Sequence, residues 1–560
     1  MLESFGAGSS YILDVERGPV GPAPKRVEID MKELEEILQR ALTGPISQED
    51  HRKLRAAMET LGWLQGEIGR KDASLGRLRK LLFGTPKTEK TSQVLGESAQ
   101  KVPEGGDEKP EDPPQAASPD PKPAPAGHGR NGADAYPGAE RVAVGHETLK
   151  AGDPCPQEGC EGKLYRLPEP RVLVCVRGHV PLQATVYERE ALRCALCGKV
   201  FVAGLPDGLH NCKYEPTAVA MVGLLKYGTG MPFYRLEGLQ NNLGIPLAAQ
   251  TQWEIVEQAA KDLAPAHEEL VRQGAQAEVV HNDDTPMTIL EHLKENEERK
   301  KKKERTGTFT TGIVAAAGER RIALFFTGRK HAGENLTTVL SEREGQRGPP
   351  IQMCDGLDRN APDEKFETIL GNCLAHGRRN FVDVVESFPQ EVRHVLEALR
   401  EVYRHDAQAR KASMTPQERL RHHQEHSAPV MDRLKLWMDA QIDEKKVEPQ
   451  SALGEAIGYM QKRWQKLTLF LREPGAPLDN TVTERALKKA ILHRKNALFF
   501  KSEDGARVGD VFMSLIHTAE LNRVNPFEYL TALLRHARRV RDDADLWMPW
   551  NYRDTLKSIA

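Results

Sequence analysis

Long apolar runs are missing from this sequence. None approaches the roughly 18–20 residues that a membrane-spanning helix needs, so no membrane partner is expected. The opening stretch MLESFGAGSSYILDVERG lacks a basic start followed by an apolar core, so no secretory leader is expected either. Cysteine is scarce, eight in 560 residues, which excludes a disulfide scaffold and points to a reducing cytosol. Charge of one sign is not in excess. Lys+Arg number 79 against 81 Asp+Glu, for a net charge of −2. A nucleic-acid-binding surface must therefore be sought in local basic clusters rather than in the total. What remains, 39% hydrophobic and 29% charged, is the composition of a globular protein with some disordered parts, long enough for several modules.

Residues 1–85 read as an N-terminal helical region. Leu54, Leu61, Ile68, Leu75 and Leu82 recur every seven residues, one seam of a coiled coil that would make the chain a homo-oligomer. The companion seam is mixed: Met58, Gln65, Asp72 and Arg79. An amphipathic helix folded on its own domain would give the same seam. Residues 86–147 are rich in Pro, Gly and charge and nearly free of large apolar side chains, so they form a disordered linker. Residues 148–213 hold two close cysteine pairs, Cys155/Cys160 and Cys194/Cys197, around a strand-rich stretch. Paired thiolates flanking a β-hairpin suit a tetrahedral structural Zn2+ in a zinc-ribbon-like module. Cys175, His179, His210 and Cys212 are further potential ligands that the spacing does not sort. Residues 214–275 read as helices with Leu236, Leu239 and Leu243 on one face and Gly244 at a turn, a helix-turn-helix-like DNA-binding region or an ordinary helical hairpin.

From residue 276 the pattern changes. AEVVHNDDTPMTIL, TGTFTTGIVAAAG and RRIALFFTG are strand-like, with a tight turn at Ala317-Gly318-Glu319. AGENLTTVLSE reads as a helix and PPIQMCDG as a short strand. Three meandering strands, a helix and a strand begin an RNase H-like α/β fold. EHLKENEERKKKKER (291–305) reads as a solvated hairpin loop, and 364–475 as mainly helical. The catalytic core is expected over 276–500, with a mostly helical insertion at about 380–475, followed by a C-terminal helical region at 501–560.

Asp283 and Asp284 close the first strand. Side chains alternate faces along a strand, so only one of the two can join a given site, and the strand rule does not choose. Asp355 ends a later strand, 72 residues beyond Asp283. In an RNase H-like sheet those two strands lie side by side, which brings two aspartates to one surface. Carboxylates so held repel unless a cation sits between them. Mg2+, an ion that prefers oxygen ligands, would fit, and a third carboxylate would complete a two-metal site for phosphodiester chemistry. Glu484, in the first turn of a helix in DNTVTERALKKA, is the candidate. Thr481-Val-Thr-Glu484 is equally a capping-box pattern, in which the glutamate returns to the N-cap amide.

The motifs HNDDTP, CDGLDRN, CLAHGRRNF and LDNTVTERALKKAILHRKNALFF occur in this order, and together they resemble the transposases of the insertion sequence 66 family. LRKLLFGTPKTEK, the Pro-rich linker, the paired cysteines, KYGTGMPFYRLEGL and SLIHTAELNRVNPFEYLTALL add to the resemblance. It covers about residue 75 to the end. It implies a DDE recombinase with Asp283, rather than Asp284, joined to Asp355 and Glu484. The implied reaction is Mg2+-dependent cleavage and strand transfer on double-stranded DNA, at the ends of a bacterial mobile element and at its target. The protein would be cytoplasmic, nucleoid-associated when bound to DNA, and served by companion proteins of the element. His376, Arg378 and Arg379 match a family motif near the site. Arg485, Arg494 and Lys495 flank the glutamate helix as candidate DNA contacts, although ordinary exposed charge reads the same way. Leu357 and Arg359 depart from the family, which places aromatics there. A decayed, non-catalytic DNA-binding protein and a nuclease that cuts without joining are the rival readings.

Overall fold

The computed structural model describes residues 31–58, 150–154, 156, 162–164, 181–193, 200–204 and 213–559. The chain divides into two units, Pro103–Gln183 and the remainder. In the smaller unit Pro154 and Lys163 form an antiparallel bridge, and the Gly152 N–H donates to Leu164 O at 2.8 Å. The expected zinc ligands Cys155, Cys160, Cys194 and Cys197 lie outside the described residues, as do Cys175, His179, His210 and Cys212. In the larger unit a helix spans Met31–Thr43 and a second is described over 48–58. Of the heptad seam, Leu54 is half-buried and the companion Met58 is exposed; Leu61, Ile68, Leu75 and Leu82 lie outside the described residues.

A five-stranded mixed sheet organises the larger unit, within a mostly helical chain. β1 (Val279–Pro286), β2 (Phe309–Ala317) and β3 (Arg320–Gly328) form an antiparallel meander. Gly318, at φ +57°, makes the two-residue turn between β2 and β3. β4 (Ile351–Cys354) then pairs parallel with β1, and β5 (Ile369–Asn372) parallel with β4. The spatial order is β3-β2-β1-β4-β5.

Helices cover both faces. The segment 214–275 forms α1 (Pro216–Gly223), α2 (Phe233–Asn242) and α3 (Ala249–Ala275), with Gly244 at φ +74° between the last two. Leu236 is buried, while Leu239 and Leu243 are exposed. The buried stripe Val256, Leu263 and Leu270 continues to Gly274, where an added Cβ would meet Leu324 at 3.3 Å and Ala315 at 3.7 Å. α3 thus lies on the sheet face to which Ala315 points.

Two expectations are corrected. The charged segment at 291–305 is not a hairpin loop: Leu290–Lys301 forms helix α4. It contains no Gly or Pro, and Glu, Lys, Leu and Arg are good helix formers, so polarity alone did not make it irregular. The start of the supposedly helical 364–475 is strand β5, because four residues at a parallel sheet edge are too few to show a period.

After α5 (Ala332–Leu340) and α6 (Leu374–Val382), the helical insertion contains α7 (Pro389–Lys411), α8 (Pro416–His426), α9 (Ala428–Asp443) and α10 (Ala452–Lys462). Leu399, Met431, Leu434, Ile457 and Met460 belong to its core, which continues into Ile351 of β4 and Leu374 of α6. No helix among the described residues is long and apolar enough to cross a membrane.

α11 (Thr481–Ala497) and α12 (Glu503–Leu521) complete the sheet layer, followed by α13 (Pro526–Arg535). α12 covers the open edge of β3. Asn522 Oδ1, Thr518 Oγ1, Ser514 Oγ and Asp510 Oδ2 accept from the N–H groups of Arg321, Ala323, Phe325 and Thr327, at 3.2, 3.0, 3.0 and 2.6 Å. A step of four helical residues rises about 6 Å and two strand residues about 6.7 Å, so the repeats nearly match. The ladder occupies a row of donors that would otherwise invite another strand.

Candidate active site

The β1–β4 register pairs Val279 with Ile351, Val280 with Gln352 and His281 with Met353, an offset of 72 residues throughout. Asp283 and Asp355 keep that offset just beyond the paired segment, so two carboxylates come to the same end of adjacent parallel strands. Burial, and after it the Asp355 carboxylate, pushes Asp283 up to about 8. Glu484 adds to the same field.

The third carboxylate arrives because one strand residue is small. Gly312 of β2 lies opposite Asp283, so their faces coincide. A Cβ on Gly312 would sit 3.0 Å from Leu487 and 3.6 Å from Thr483. Its absence lets α11 approach the Asp283 face through the residues that flank Glu484. The N-terminus of α11 is anchored by Asn480, which is fully buried. Asn480 Nδ2 donates to Asn282 O at 3.2 Å, its Oδ1 meets His281 Nδ1 at 3.2 Å, and its N–H donates to Cys373 Sγ at 3.2 Å. Burial holds His281 down at about 4, so the ring is neutral near neutral pH. Asn480, not Thr481, is the N-cap residue, and no side-chain cap bond forms there. The capping-box reading of Thr481 and Glu484 is thereby corrected: the extra residue of register frees the glutamate. Its Oε1 is buried without a hydrogen-bond partner, with His376 Nε2 at 3.8 Å and Arg379 at 3.8 Å from its two oxygens.

Asp284 is on the other face. Its side chain is 1% exposed, with Oδ2 2.9 Å from His331 Nδ1 and Oδ1 3.5 Å from the Arg359 guanidinium. Arg359 thus lies within ion-pair distance of Asp284, whereas among the described residues no Lys or Arg lies so close to Asp283.

Asp355 is backed by a network that the sequence did not reveal. Its Oδ1 accepts from the Leu357 N–H at 3.1 Å and from Asn360 Nδ2. Asn360 O accepts from Asn282 Nδ2 at 2.8 Å and Gln352 Nε2 at 2.7 Å. From the helical insertion, the Tyr459 hydroxyl donates to Asp355 O at 3.1 Å. Asn282, Gln352, Asn360 and Asn480 are ordinary polar residues in sequence, and nothing short of the fold distinguishes them.

The basic candidates separate. Arg379 faces Glu484 and is half-exposed; Arg378 stands beside it on α6. Arg485 and Lys495 are exposed, but Arg494 bends back to Thr285 Oγ1 at 3.3 Å and to Pro286 O, tying α11 to the end of β1. Cys373, His376 and Glu484 have ligand atoms within 4.8 Å of one another, so the metal-compatible trio among the described residues contains Glu484 but neither Asp283 nor Asp355. Burial, first, and then Arg379 hold His376 below its ordinary value, and its Nδ1 has no hydrogen-bond partner. Burial also pushes the Cys373 thiol up to about 12.

A family model, Transposase IS66 family, matches residues 211–508, just over half of the chain and all of the elements described at the site. The chain belongs to the IS66 family of transposases. It is similar to three uncharacterized proteins of Sinorhizobium fredii (strain NBRC 101917 / NGR234). It is 33% identical to y4jD over 33% of this chain and 36% of that protein. It is 24% identical to y4qI over 60% and 62%, and 26% identical to y4hP over 63% and 66%. The matches therefore span between about a third and two thirds of those relatives. In this transposase-family chain the family match includes Asp283, Asp355 and Glu484.

Proposed function

We propose that this chain is a DDE transposase with an RNase H-like core. It would bind the ends of its own insertion element and use Asp283, Asp355 and Glu484 for Mg2+-dependent cleavage and strand transfer of double-stranded DNA. The observation that carries the reading is the constant offset between β1 and β4, with α11 brought down on the same face at Gly312. The strand order β3-β2-β1-β4-β5 supports the RNase H-like assignment.

The residues fit divalent cations. All three are oxygen donors, burial and a neighbouring carboxylate push Asp283 up to about 8, a penalty that a bound cation would relieve, and Glu484 Oε1 is buried and unpartnered. Bound Mg2+ would supply charge neutralisation at both the attacking and the leaving oxygen. The chain's own part is to hold the carboxylates in place. Asn360 and Tyr459 brace Asp355, while Asn480 and Gly312 set the height of Glu484. Water attacks the scissile phosphorus and the P–O3′ bond breaks, leaving a 3′-hydroxyl and a 5′-phosphate. The 3′-hydroxyl then attacks a target phosphorus, forming a new P–O3′ bond as the target's own P–O3′ bond breaks and its 3′-oxygen leaves as a hydroxyl, the proton passing from the attacking to the leaving oxygen.

His376, Arg378 and Arg379 are proposed to meet the DNA phosphates beside Glu484, with Arg485 and Lys495 further along α11. Cys155, Cys160, Cys194 and Cys197 are proposed to hold a structural Zn2+, the 214–275 helices to contribute DNA binding, and the N-terminal heptads to pair copies. Labelled DNA carrying the gene's own flanking ends, incubated with Mg2+, tests the core of this reading. Wild type is expected to nick at the element boundary and Asp355→Asn is not. Binding without nicking in either would indicate a non-catalytic binder, and equal nicking by both would remove Asp355 from the site.

A further inference from the structure

The exposed side of α11 carries a stripe of which the transposase reading uses only Arg485 and Lys495. Arg485, Lys488, Leu492, Lys495 and Leu498 recur at steps of three and four residues, so they share one side of the helix or its immediate continuation, and all are exposed. Among the described residues the ion pairs of α11 are made by Glu484 and Lys489, which leaves Arg485, Lys488 and Lys495 without an acidic partner.

The stripe ends in a strained turn. Leu498 has φ +69° and ψ −44°, and the Phe499 N–H donates to Ala497 O at 2.9 Å. This is a γ-turn of the rare, positive-φ hand, which a branched side chain adopts only when its surroundings hold it there. The surroundings do so on both sides. The Leu498 N–H donates to Arg494 O at 2.8 Å. Two residues on, Phe500 is buried and stacks on His493 at 4.5 Å. It is also pinned through its N–H to Thr288 O and through its own O to the Leu290 N–H, both at 2.9 Å. The result of that clamping is to hold two large apolar side chains in water, Leu498 at 64% exposure and Phe499 at 41%.

Resting on the transposase reading, we propose that Leu498 and Phe499 form an apolar wedge that enters the base stack of duplex DNA, with Arg485, Lys488 and Lys495 gripping the backbone between the wedge and the carboxylates. The alternation decides the occupant. A protein partner would call for a contiguous apolar patch, whereas cations spaced along a helix and ending in an apolar tip match phosphates followed by an opened base step. Leu498 lies fourteen positions beyond Glu484, about 21 Å along the helix axis, which is about six base pairs of 3.4 Å.

The test uses the full-length protein and duplexes of the element's ends, with 2-aminopurine placed singly at each position up to ten base pairs on either side of the cleaved phosphate. Wild type is expected to give a several-fold rise in fluorescence at one step about six base pairs away. Leu498→Gly combined with Phe499→Ala should abolish the rise. Glycine accepts the positive φ, so this variant keeps the turn, and a melting curve confirms its fold. A flat fluorescence profile with bound wild type, or the same rise from wild type and variant, would overturn the wedge. So would a change of oligomeric state in the variant with the fluorescence signal intact, which would mark the tip as a contact between copies. Nicking is scored on the same duplexes. Nicking with a flat profile removes the wedge alone, whereas failure to bind or nick the ends removes the transposase reading as well.

Discussion

Two regions of one sheet bury polar groups in opposite ways. Along the β3 edge, Asp510, Ser514 and Thr518 of α12 and its C-cap Asn522 each accept from one strand N–H, and Thr518 and Asn522 also return a hydrogen bond to the carbonyls of Ala323 and Arg321. At the ends of β1 and β4, Asp283 and Asp355 repel one another, and Glu484 Oε1 has no hydrogen-bond partner. A buried polar group without a partner costs about 1–3 kcal/mol, so the first arrangement stabilises the fold and the second draws on that stability. The difference teaches where to look for chemistry. A completed network holds the chain together, and an incomplete one has room for something the chain does not itself contain.

The sharpest test of this contrast is to remove charge from each region. Glu484→Gln or Asp283→Asn is expected to lower DNA cleavage on the order of 10³-fold or more. The melting temperature should stay level or rise, because a repulsive carboxylate has gone. Mg2+ should raise the melting temperature of wild type more than that of either variant. Parallel loss of cleavage and of stability would make these carboxylates structural.

The ladder should behave the other way. Ser514→Ala or Thr518→Ala leaves a buried strand N–H unpaired, at an expected cost of about 1–3 kcal/mol each in a denaturant melt. Cleavage per folded molecule should be unchanged. A neutral Ser514→Ala would show that the β3 edge needs no cover.

The smallest effect concerns Asp510, the one ionisable member of the ladder. Burial pushes it up to about 7 from 3.8, against the bonds from Thr327 that favour its charged form. Because the folded value is raised, the native state holds the proton more tightly than the unfolded chain. Its contribution to stability is full below about pH 4 and is lost as pH rises towards 7. Asp510→Asn removes that loss but accepts more weakly from Thr327. A net gain of about 1 kcal/mol over wild type is expected at pH 8 and none at pH 4, read from melts at the two values. A variant equally destabilised at both would show that the carboxylate is charged in the fold.

Much of the framework was legible. The β2–β3 hairpin shows in its two strand-like runs and in Gly318, and the helical insertion in its amphipathic stretches. β5 was not legible, because a four-residue edge strand carries no measurable period. Nor was α4, whose charge resembles that of a loop. At the site, the three carboxylates could be nominated, but Thr481 could not be told from Asn480 as the cap. That choice rests on contacts to His281, Asn282 and Cys373, about 200 and 107 residues away in sequence.

By itself the sequence determined that Asp283 and Asp284 face opposite ways, since alternation is local backbone geometry. It also determined the family, through motifs kept in order. The resemblance nominated Asp283 rather than Asp284, but what each aspartate faces was decided only by the tertiary structure. Gly312, on a neighbouring strand, leaves the space through which α11 descends on one face, while His331 and Arg359 meet the carboxylate on the other. A local rule can state that two side chains diverge, but only packing between distant segments can state what each one meets.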